Sequence, residues 1–474
     1  MAGMDYDAIV VGSGPNGLAA AIKLQLEGLS VLLLEGKNEI GGGTRTAELT
    51  LPGFQHDICA AVHPMALLSP FFSVLPLEKY GLKWIYPAIS AAHPFDDGSA
   101  AAVLSTLEET ANQFANDRWK YIRFVKPILD HLTDLTPELL KPFPSFKNPK
   151  ALARFGLRGL QPASWVAEKF HSPKLRGLWA GMAAHSMQPL NNWMTSAIGL
   201  MLLSTAHAKG WPIALGGSEN IAKALVDYFR NLGGKVKTGF WVRSLKDLPT
   251  AKAIFFDTTP RQLLDITGDK LPKLYRKRLR SYRYGMGVFK IDWALNEPIP
   301  FKSPLCRQAG TVHIGGTFEE IAAAEKAIYK GKPIKNPFVL LAQPSVIDAS
   351  RAPENKHVAW AYCHAPHGSA EDFTQAVENQ ICRFAPGFNE IILARHSFTA
   401  QYMENYNPNY VGGDINGGVQ DLFQHFSRPI LSISPYRTPS KGIYICSSST
   451  PPGGGVHGMC GYNAALQALK DDIF

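Results

Sequence analysis

The stretch Asp7-Ala-Ile-Val-Val-Gly12-Ser13-Gly14-Pro15-Asn16-Gly17-Leu18-Ala-Ala-Ala21 decides the fold. A strand-like apolar run, Tyr6 to Val11, breaks into a glycine turn that opens a helix-like run from Gly17 to Gly28. A second strand, Ser30 to Glu35, then ends on an acid eighteen residues beyond Gly17. Glycines cluster in any turn, so the motif by itself says little. Strand, glycine turn, helix, strand and acid in that order form a dinucleotide-binding fingerprint.

Each position has a physical task. Gly12 permits the tight turn out of the strand, Gly14 lets backbone approach a pyrophosphate, and Gly17 lets helix and strand pack closely. The helix N-terminus then offers unpaired N–H groups and a partial positive charge to phosphate. Glu35 would accept from both hydroxyls of a ribose and repel a 2′-phosphate, which disfavours NADP.

A chain of 474 residues holds two or more domains with substantial cores. No eighteen-residue apolar run and no secretory signal is visible, so the expected compartment is the cytoplasm. The six cysteines, Cys59, Cys306, Cys363, Cys382, Cys446 and Cys460, include no C-x-x-C pair and read as reduced thiols. Cys363, His364 and His367 sit in a strand-then-turn stretch whose alternation sends the first two to opposite faces, so no metal site is expected. The net charge is +9, and the densest basic run holds Lys273, Arg276, Lys277, Arg278, Arg280 and Arg283. Nucleic-acid motifs are absent. A peripheral membrane contact is the more pointed expectation, with Phe71, Phe72, Leu75, Leu77, Trp84 and Tyr86 as an apolar-aromatic stretch.

Nucleotide-binding signals recur at three separated places. Residues 1–80 hold the fingerprint. Residues 210–270 hold Gly216-Gly217 before a helix (Glu219 to Leu232), a strand at Phe240 to Leu245, and another at Lys252 to Phe256. Residues 425–474 hold a strand from Gly442, a glycine loop and a helix from Gly461. The intervening pieces, 81–209 and 271–424, read as helix-rich and mixed. The expected fold is therefore α/β: a Rossmann-like FAD-binding domain, with a parallel sheet and ββα elements, interleaved with a mixed α+β substrate domain. A pocket between them follows.

Two further glycine motifs bear on the cofactor. Gly41-Gly42-Gly43-Thr44-Arg45 gives a second close backbone approach just past Glu35. The terminal stretch Thr450-Pro-Pro-Gly453-Gly-Gly455-Val-His457-Gly458-Met459 leads into a helix whose N-terminus suits a reduced isoalloxazine. A cofactor touched by both ends of the chain is long, as FAD is. With Gly216-Gly217, these motifs resemble the phytoene-desaturase-related flavoproteins of the amine-oxidase-like superfamily. The chain is most similar there to the pyridine nucleotide-disulfide oxidoreductase domain proteins, through Asn409-Tyr-Val-Gly-Gly-Asp414 and Arg383-Phe-Ala-Pro-Gly-Phe388.

The resemblance implies that Gly12, Gly14 and Gly17 hold the pyrophosphate and Glu35 the adenosine ribose. It implies Gly43 and Arg45 near the ribityl-flavin region, Val242 at the adenine, and Gly455 and Met459 beside the isoalloxazine. Ser13, Pro15, Asn16, Gly36, Gly42, Thr44 and Gly458 complete the expected cofactor set. Disulfide reduction does not fit, because Cys59 has no neighbouring cysteine and no second nucleotide fingerprint follows Gly17.

The expected chemistry is hydride transfer from a small hydrophobic substrate, isoprenoid or polyene, to flavin N5, with oxygen or a quinone taking the electrons. Isomerisation by reduced flavin is a variant. His457 is the first candidate for proton handling, ahead of His63 and His56, although a loop histidine also serves as a hydrogen-bonding filler. An amine oxidase, with an aromatic cage and a lysine near N5, and a flavoprotein with structural FAD are the alternatives.

Overall fold

The structure, a computed structural model, describes residues 4–332 and 334–474. Five parallel strands form the first sheet, in the order Ile443–Ile445, Ala251–Phe256, Tyr6–Val11, Val31–Leu34, Lys235–Lys237. Residues 8–11 and 31–34 are buried on both faces, as a parallel sheet covered on two sides requires. One face packs against the helices Pro15–Leu26, Glu219–Asn231 and Met459–Lys470. The other packs against Leu263, Ile266, Tyr275 and Leu279.

The register aligns Val11 with Leu34 and with Phe256, and Phe256 with Ile445. Four strands thus end at one edge of the sheet, where open α/β folds bind ligands. One expected strand is corrected. Phe240 to Leu245 is not a strand; the pairing segment is Lys235–Lys237. Gly239 and Phe240 instead donate backbone N–H groups to the carbonyls of Lys37 and Glu35, which continues the edge as an irregular arm.

The second sheet has seven strands, ordered Ile392–Phe398, Gly287–Leu295, His357–Ala365, Val339–Ala342, Ala309–Ile314, Ile89–Pro94, Ala100–Ala102. All neighbours are antiparallel except Ala309–Ile314 with Ile89–Pro94. Alternation divides its faces. Phe289 and Trp293 turn toward the helix Thr374–Phe384, where Trp293 Nε1 donates to Glu378 at 2.9 Å. The register that places Lys290 opposite Tyr362, and Tyr362 opposite Leu340, puts those residues on the other face. A helical layer, including Pro173–Ala184 and Thr195–Lys209, completes this part.

The Phe71–Tyr86 stretch is a surface only in part: Tyr86 is exposed, and Leu75 and Trp84 are half-buried. Phe71, Phe72 and Leu77 are buried, with the Phe71 ring 6.0 Å from that of Tyr462 on the C-terminal helix. Among the described residues, no helix is long and apolar enough to cross a membrane, and no group of three ligand-type side chains is placed to hold a metal. His364 Nδ1 instead meets Glu325 at 2.7 Å.

Asp57 joins the pieces of chain. Its carboxylate accepts from Thr46 Oγ1 at 2.7 Å, from the Ser218 N–H at 2.8 Å and from Arg351 at 2.8 Å. Burial works against its charge, but Arg351 and these hydrogen bonds hold its pKa below the ordinary carboxylate value. Removing one partner leaves the other charge buried and alone, so Arg351→Met should cost about 3–5 kcal/mol in urea denaturation. Arg351→Met combined with Asp57→Asn should cost less than the sum of the two single changes. Strict additivity would show that the pair is not coupled.

Candidate functional site

The turn after Val11 is built as its sequence requires. Gly12 has φ +104°, a region that L side chains rarely adopt. A Cβ on Gly17 would lie 2.1 Å from the Gly12 carbonyl oxygen, so only glycine lets the helix start so close to the strand. Beside this turn stands a residue that the motif does not announce. Asp257, at the end of Ala251–Phe256, accepts the Gly17 N–H on Oδ2 at 2.9 Å. Its carboxylate therefore sits at the positive end of the helix. Burial pushes its pKa up to about 7, opposed by the Gly17 and Gly14 N–H groups and reinforced by the charge of Glu35.

Glu35 is held as firmly. It accepts from the Ser13 N–H at 3.1 Å, from Ser13 Oγ at 2.6 Å and from the Lys37 N–H at 2.9 Å, and Arg45 Nη2 lies 3.2 Å from it. A carboxylate offers about four lone-pair positions, so the three hydrogen bonds leave one for a ribose hydroxyl. Arg45 is buried, and its guanidinium also donates to the Glu39 carbonyl at 2.8 Å. In this arrangement it pins the second glycine turn beside Glu35. Gly41 N–H donates to the Ser13 carbonyl at 3.1 Å, which docks the second turn on the first.

These residues open into one cavity of about 880 Å³. At its nucleotide end it is lined by Ser13, Gly14, Pro15, Asn16, Glu35, Gly36, Gly42, Gly43, Thr44, Arg45 and Val242. Trp241 lies against Gly36, closing that end. The other end runs between the two sheets, past Cys59, His63, Gly455 and Tyr410, to Thr311, Leu340, Trp360, Tyr362, His185 and Trp211. Two glycine cradles, an acid and a long passage between sheets fit an extended dinucleotide.

Several expected residues stand behind the wall. Gly17, His457, Gly458 and Met459 do not line the cavity. His457 Nδ1 accepts the Met459 N–H at 3.0 Å, burial lowers its pKa to about 4, and its ring therefore caps the C-terminal helix as a neutral imidazole. Met459 packs in the core. His63 reaches the cavity with its Nε2 2.8 Å from Ser218 Oγ, and burial lowers its pKa to about 4. His56 does not reach it. Its Nε2 meets Thr50 Oγ1 at 2.8 Å, and burial, with Lys290 and Arg351 nearby, lowers its pKa to about 3.

Residues that the motifs did not single out supply the far wall. Trp360 and Tyr362 come from adjacent positions on one strand face, Leu340 and Thr311 from the strands beside it. His185 Nε2 lies 2.9 Å from His313 Nε2, and burial lowers the pKa of both rings, that of His185 to about 3. Lys290 lies behind this wall, paired with Asp292, and burial lowers its pKa. Period-two alternation marks these positions as one face, but many buried strands carry such a pattern.

Asp257 makes dinucleotide binding depend on pH. Pyrophosphate charge at the same helix end favours the protonated acid. Below about pH 7 Asp257 is protonated in the free protein, so affinity is flat. Above it, binding must take up a proton, and affinity falls by up to about tenfold per pH unit. Asp257→Asn, which keeps an acceptor for the Gly17 N–H, should abolish the fall. Titration of cofactor-free protein with FAD, followed by flavin fluorescence from about pH 6 to about pH 9, reads both slopes. A wild-type slope of zero would remove Asp257 from the binding equilibrium.

Comparison with known proteins agrees with this geometry. Residues 10–70 match the NAD(P)-binding Rossmann-like domain. The mouse pyridine nucleotide-disulfide oxidoreductase domain-containing protein 2 is 26% identical, over 98% of this chain and 94% of its own. A limonene dehydrogenase polypeptide of Castellaniella defragrans is 22% identical over 98% and 94%. The lycopene-forming phytoene desaturase of a Paracoccus species is 22% identical over 98% and 97%. A putrescine oxidase structure with putrescine bound superposes with a TM-score of 0.61 at 16% identity, covering 99% of each chain. Over nearly its whole length the chain is similar to phytoene-desaturase-related oxidoreductases, and its fold is that of putrescine oxidase.

Proposed function

We propose that this protein is an FAD-dependent dehydrogenase of a compact, neutral, hydrophobic substrate. One observation carries the reading. The far end of the cavity is lined by the segment Cys59 to Met65 and by His185, Leu202, Trp211, Thr311, Leu340, Trp360 and Tyr362, and none of these carries a charge. The histidines there are neutral near pH 7, since burial lowers the pKa of His63 to about 4 and that of His185 to about 3. An ammonium or carboxylate would lose its hydration with no counter-charge in return. Apolar carbon loses nothing there and gains contact with Leu202, Trp211, Leu340 and Trp360.

Size narrows the class. Ligand pockets of about 300–1,000 Å³ serve one drug-sized molecule, and this cavity of about 880 Å³ must also take the cofactor. Room remains for a short isoprenoid rather than a long polyene. Two relatives are named for isoprenoid hydrocarbons, limonene and phytoene.

FAD, when bound, supplies a two-electron acceptor for hydride. The chain's own residues do the rest. The two glycine turns and Glu35 would hold the nucleotide end, and Gly455 lines the cavity beyond them. Trp360, Tyr362 and Trp211 orient the substrate and exclude water. Cys59 stays a thiol, because burial raises its pKa. Dehydrogenation removes hydride from one carbon and a proton from its neighbour; no charged side chain of the far wall is there to take that proton, so both would pass to the cofactor. Oxygen or a quinone is the proposed electron acceptor.

A second reading rests on Trp360, Tyr362 and Tyr410 on the wall, with Lys290 behind it, the kind of set an amine oxidase would use. The lack of a carboxylate at that end counts against a cationic amine. Anaerobic mixing of FAD-loaded protein with limonene-sized hydrocarbons, with primary amines and with NADH separates the readings by loss of the oxidised flavin band. Bleaching by a hydrocarbon is the expected result. Bleaching by amines alone would put the second reading first, and bleaching by NADH alone would indicate a reductase or a reduced-flavin isomerase.

A further inference from the structure

Exposed apolar side chains occur along the whole chain, but four strongly exposed ones lie close together. Phe423 is 80% exposed, Phe426 62%, Leu431 79% and Ile433 91%, all within eleven residues of chain. Phe423 and Phe426 are three apart on the helix Leu422–Ser427 and so share one face. Leu431 and Ile433 follow in a run of bends. Large apolar groups concentrated on a protrusion mark a contact surface, since a solitary exposed leucine is ordinary and four together are not.

The base of this protrusion is rigid although its tips are bare. Arg428 is buried and donates from Nη2 to the carbonyls of Gly418 and Val419, both at 3.2 Å. Gln424 turns inward, accepting the Arg283 N–H at 3.0 Å and donating to the Arg283 carbonyl at 2.7 Å. Asp421 accepts from Arg283 at 3.0 Å. Ile430 packs into the core. The four apolar tips are therefore held outward by a scaffold that does not collapse over them.

Arg283 closes the basic run, and the helix Lys273–Arg280 lies just before it. Tyr275 and Leu279 of that helix are buried, which fixes its other side outward. Of the nearby acids, Asp421 is paired with Arg283 and Asp269 with Arg276. Lys273, Lys277, Arg278 and Arg280 are exposed, and no carboxylate lies within ion-pair distance of them among the described residues. Ser440 Oγ also donates to the Lys270 carbonyl, so both ends of the 421–440 segment are tied to the ends of the basic helix. Four bare apolar tips thus stand beside four unpaired cations.

We infer that this face docks on an anionic lipid bilayer, with Phe423, Phe426, Leu431 and Ile433 entering the acyl boundary and the Lys273–Arg280 helix meeting the headgroups. Apolar insertion beside a basic rim is the pattern that interfacial binding requires. A soluble protein partner would match the apolar tips but would need its own acidic rim. A bilayer supplies both features at once, and the net charge of +9 favours it over long range. The position suits the chemistry, since Ile415, Asn416 and Gly417, a few residues before the protrusion, line the cavity.

Co-sedimentation of the FAD-loaded, full-length protein with vesicles tests this directly. Vesicles of phosphatidylcholine with phosphatidylglycerol should pull the protein down, pure phosphatidylcholine should do so much less, and rising salt should release it. A variant with Phe423, Phe426, Leu431 and Ile433 each changed to Ser should lose on the order of tenfold or more in vesicle affinity. A separate variant, Lys277→Glu with Arg278→Glu and Arg280→Glu, should lose the preference for anionic lipid. Retained flavin and an unchanged circular dichroism spectrum identify folded variants, and the two sets lie on different elements. Protein left in the supernatant with anionic vesicles, or variants that sediment like the wild type, would overturn the inference. Substrate identity does not enter the readout, so failure here leaves the proposed chemistry untouched.

Discussion

The parallel pairing of Tyr6–Val11 with Val31–Leu34 on one side and Ala251–Phe256 on the other is the constraint on which the rest depends. Parallel strands run in one direction, so their carboxyl ends share one edge. That edge receives Gly12, Glu35 and Asp257 from three separated stretches of chain. None of them faces a ligand alone. Together they define a helix end with an acid on either side, one for a ribose and one that titrates near neutrality. The first glycine turn then docks the second through Ser13 and Gly41, which carries the cradle onward toward the second sheet.

The second sheet meets the first through buried charge as well as packing. Asp57 collects Thr46, Ser218 and Arg351, residues far apart in sequence, into one hydrogen-bonded node. A buried ion pair adds little net stability compared with apolar packing, but it penalises any docking that separates the partners. The cavity between the sheets is only as well defined as that docking. Placing the node at the hairpin just before Cys59 fixes the segment that forms one wall of the cavity.

Chemistry in the two ends of the cavity differs because their walls differ. Backbone N–H groups, Ser13 and two acids make the nucleotide end polar. Strand faces make the other end aromatic and aliphatic, and burial keeps its histidines neutral. Expectation and structure part at His457. A histidine in a glycine loop before a helix reads as a candidate proton carrier, yet its Nδ1 is committed to a backbone N–H and its ring lies outside the cavity. The aromatic stretch around Phe71 parts in the same way. Hydrophobicity alone cannot separate a core segment from an exposed one: Phe71, Phe72 and Leu77 are buried, whereas Phe423, Phe426, Leu431 and Ile433 are exposed.

What the sequence determined by itself was local and periodic. The glycine turn, its flanking strand and helix, and the acid at the end of the second strand follow from backbone sterics and short-range order, so Gly12, Gly17 and Glu35 were legible before any fold was known. Tertiary structure alone decided which distant residues meet them. Asp257 looked like one more turn residue until strand pairing placed it at the helix end, 240 positions from Gly17. Trp360, Tyr362 and Leu340 became a wall only through strand register, and His457 left the site only through the path of its loop. Periodicity tells which face of an element is buried; it does not tell what that face is buried against.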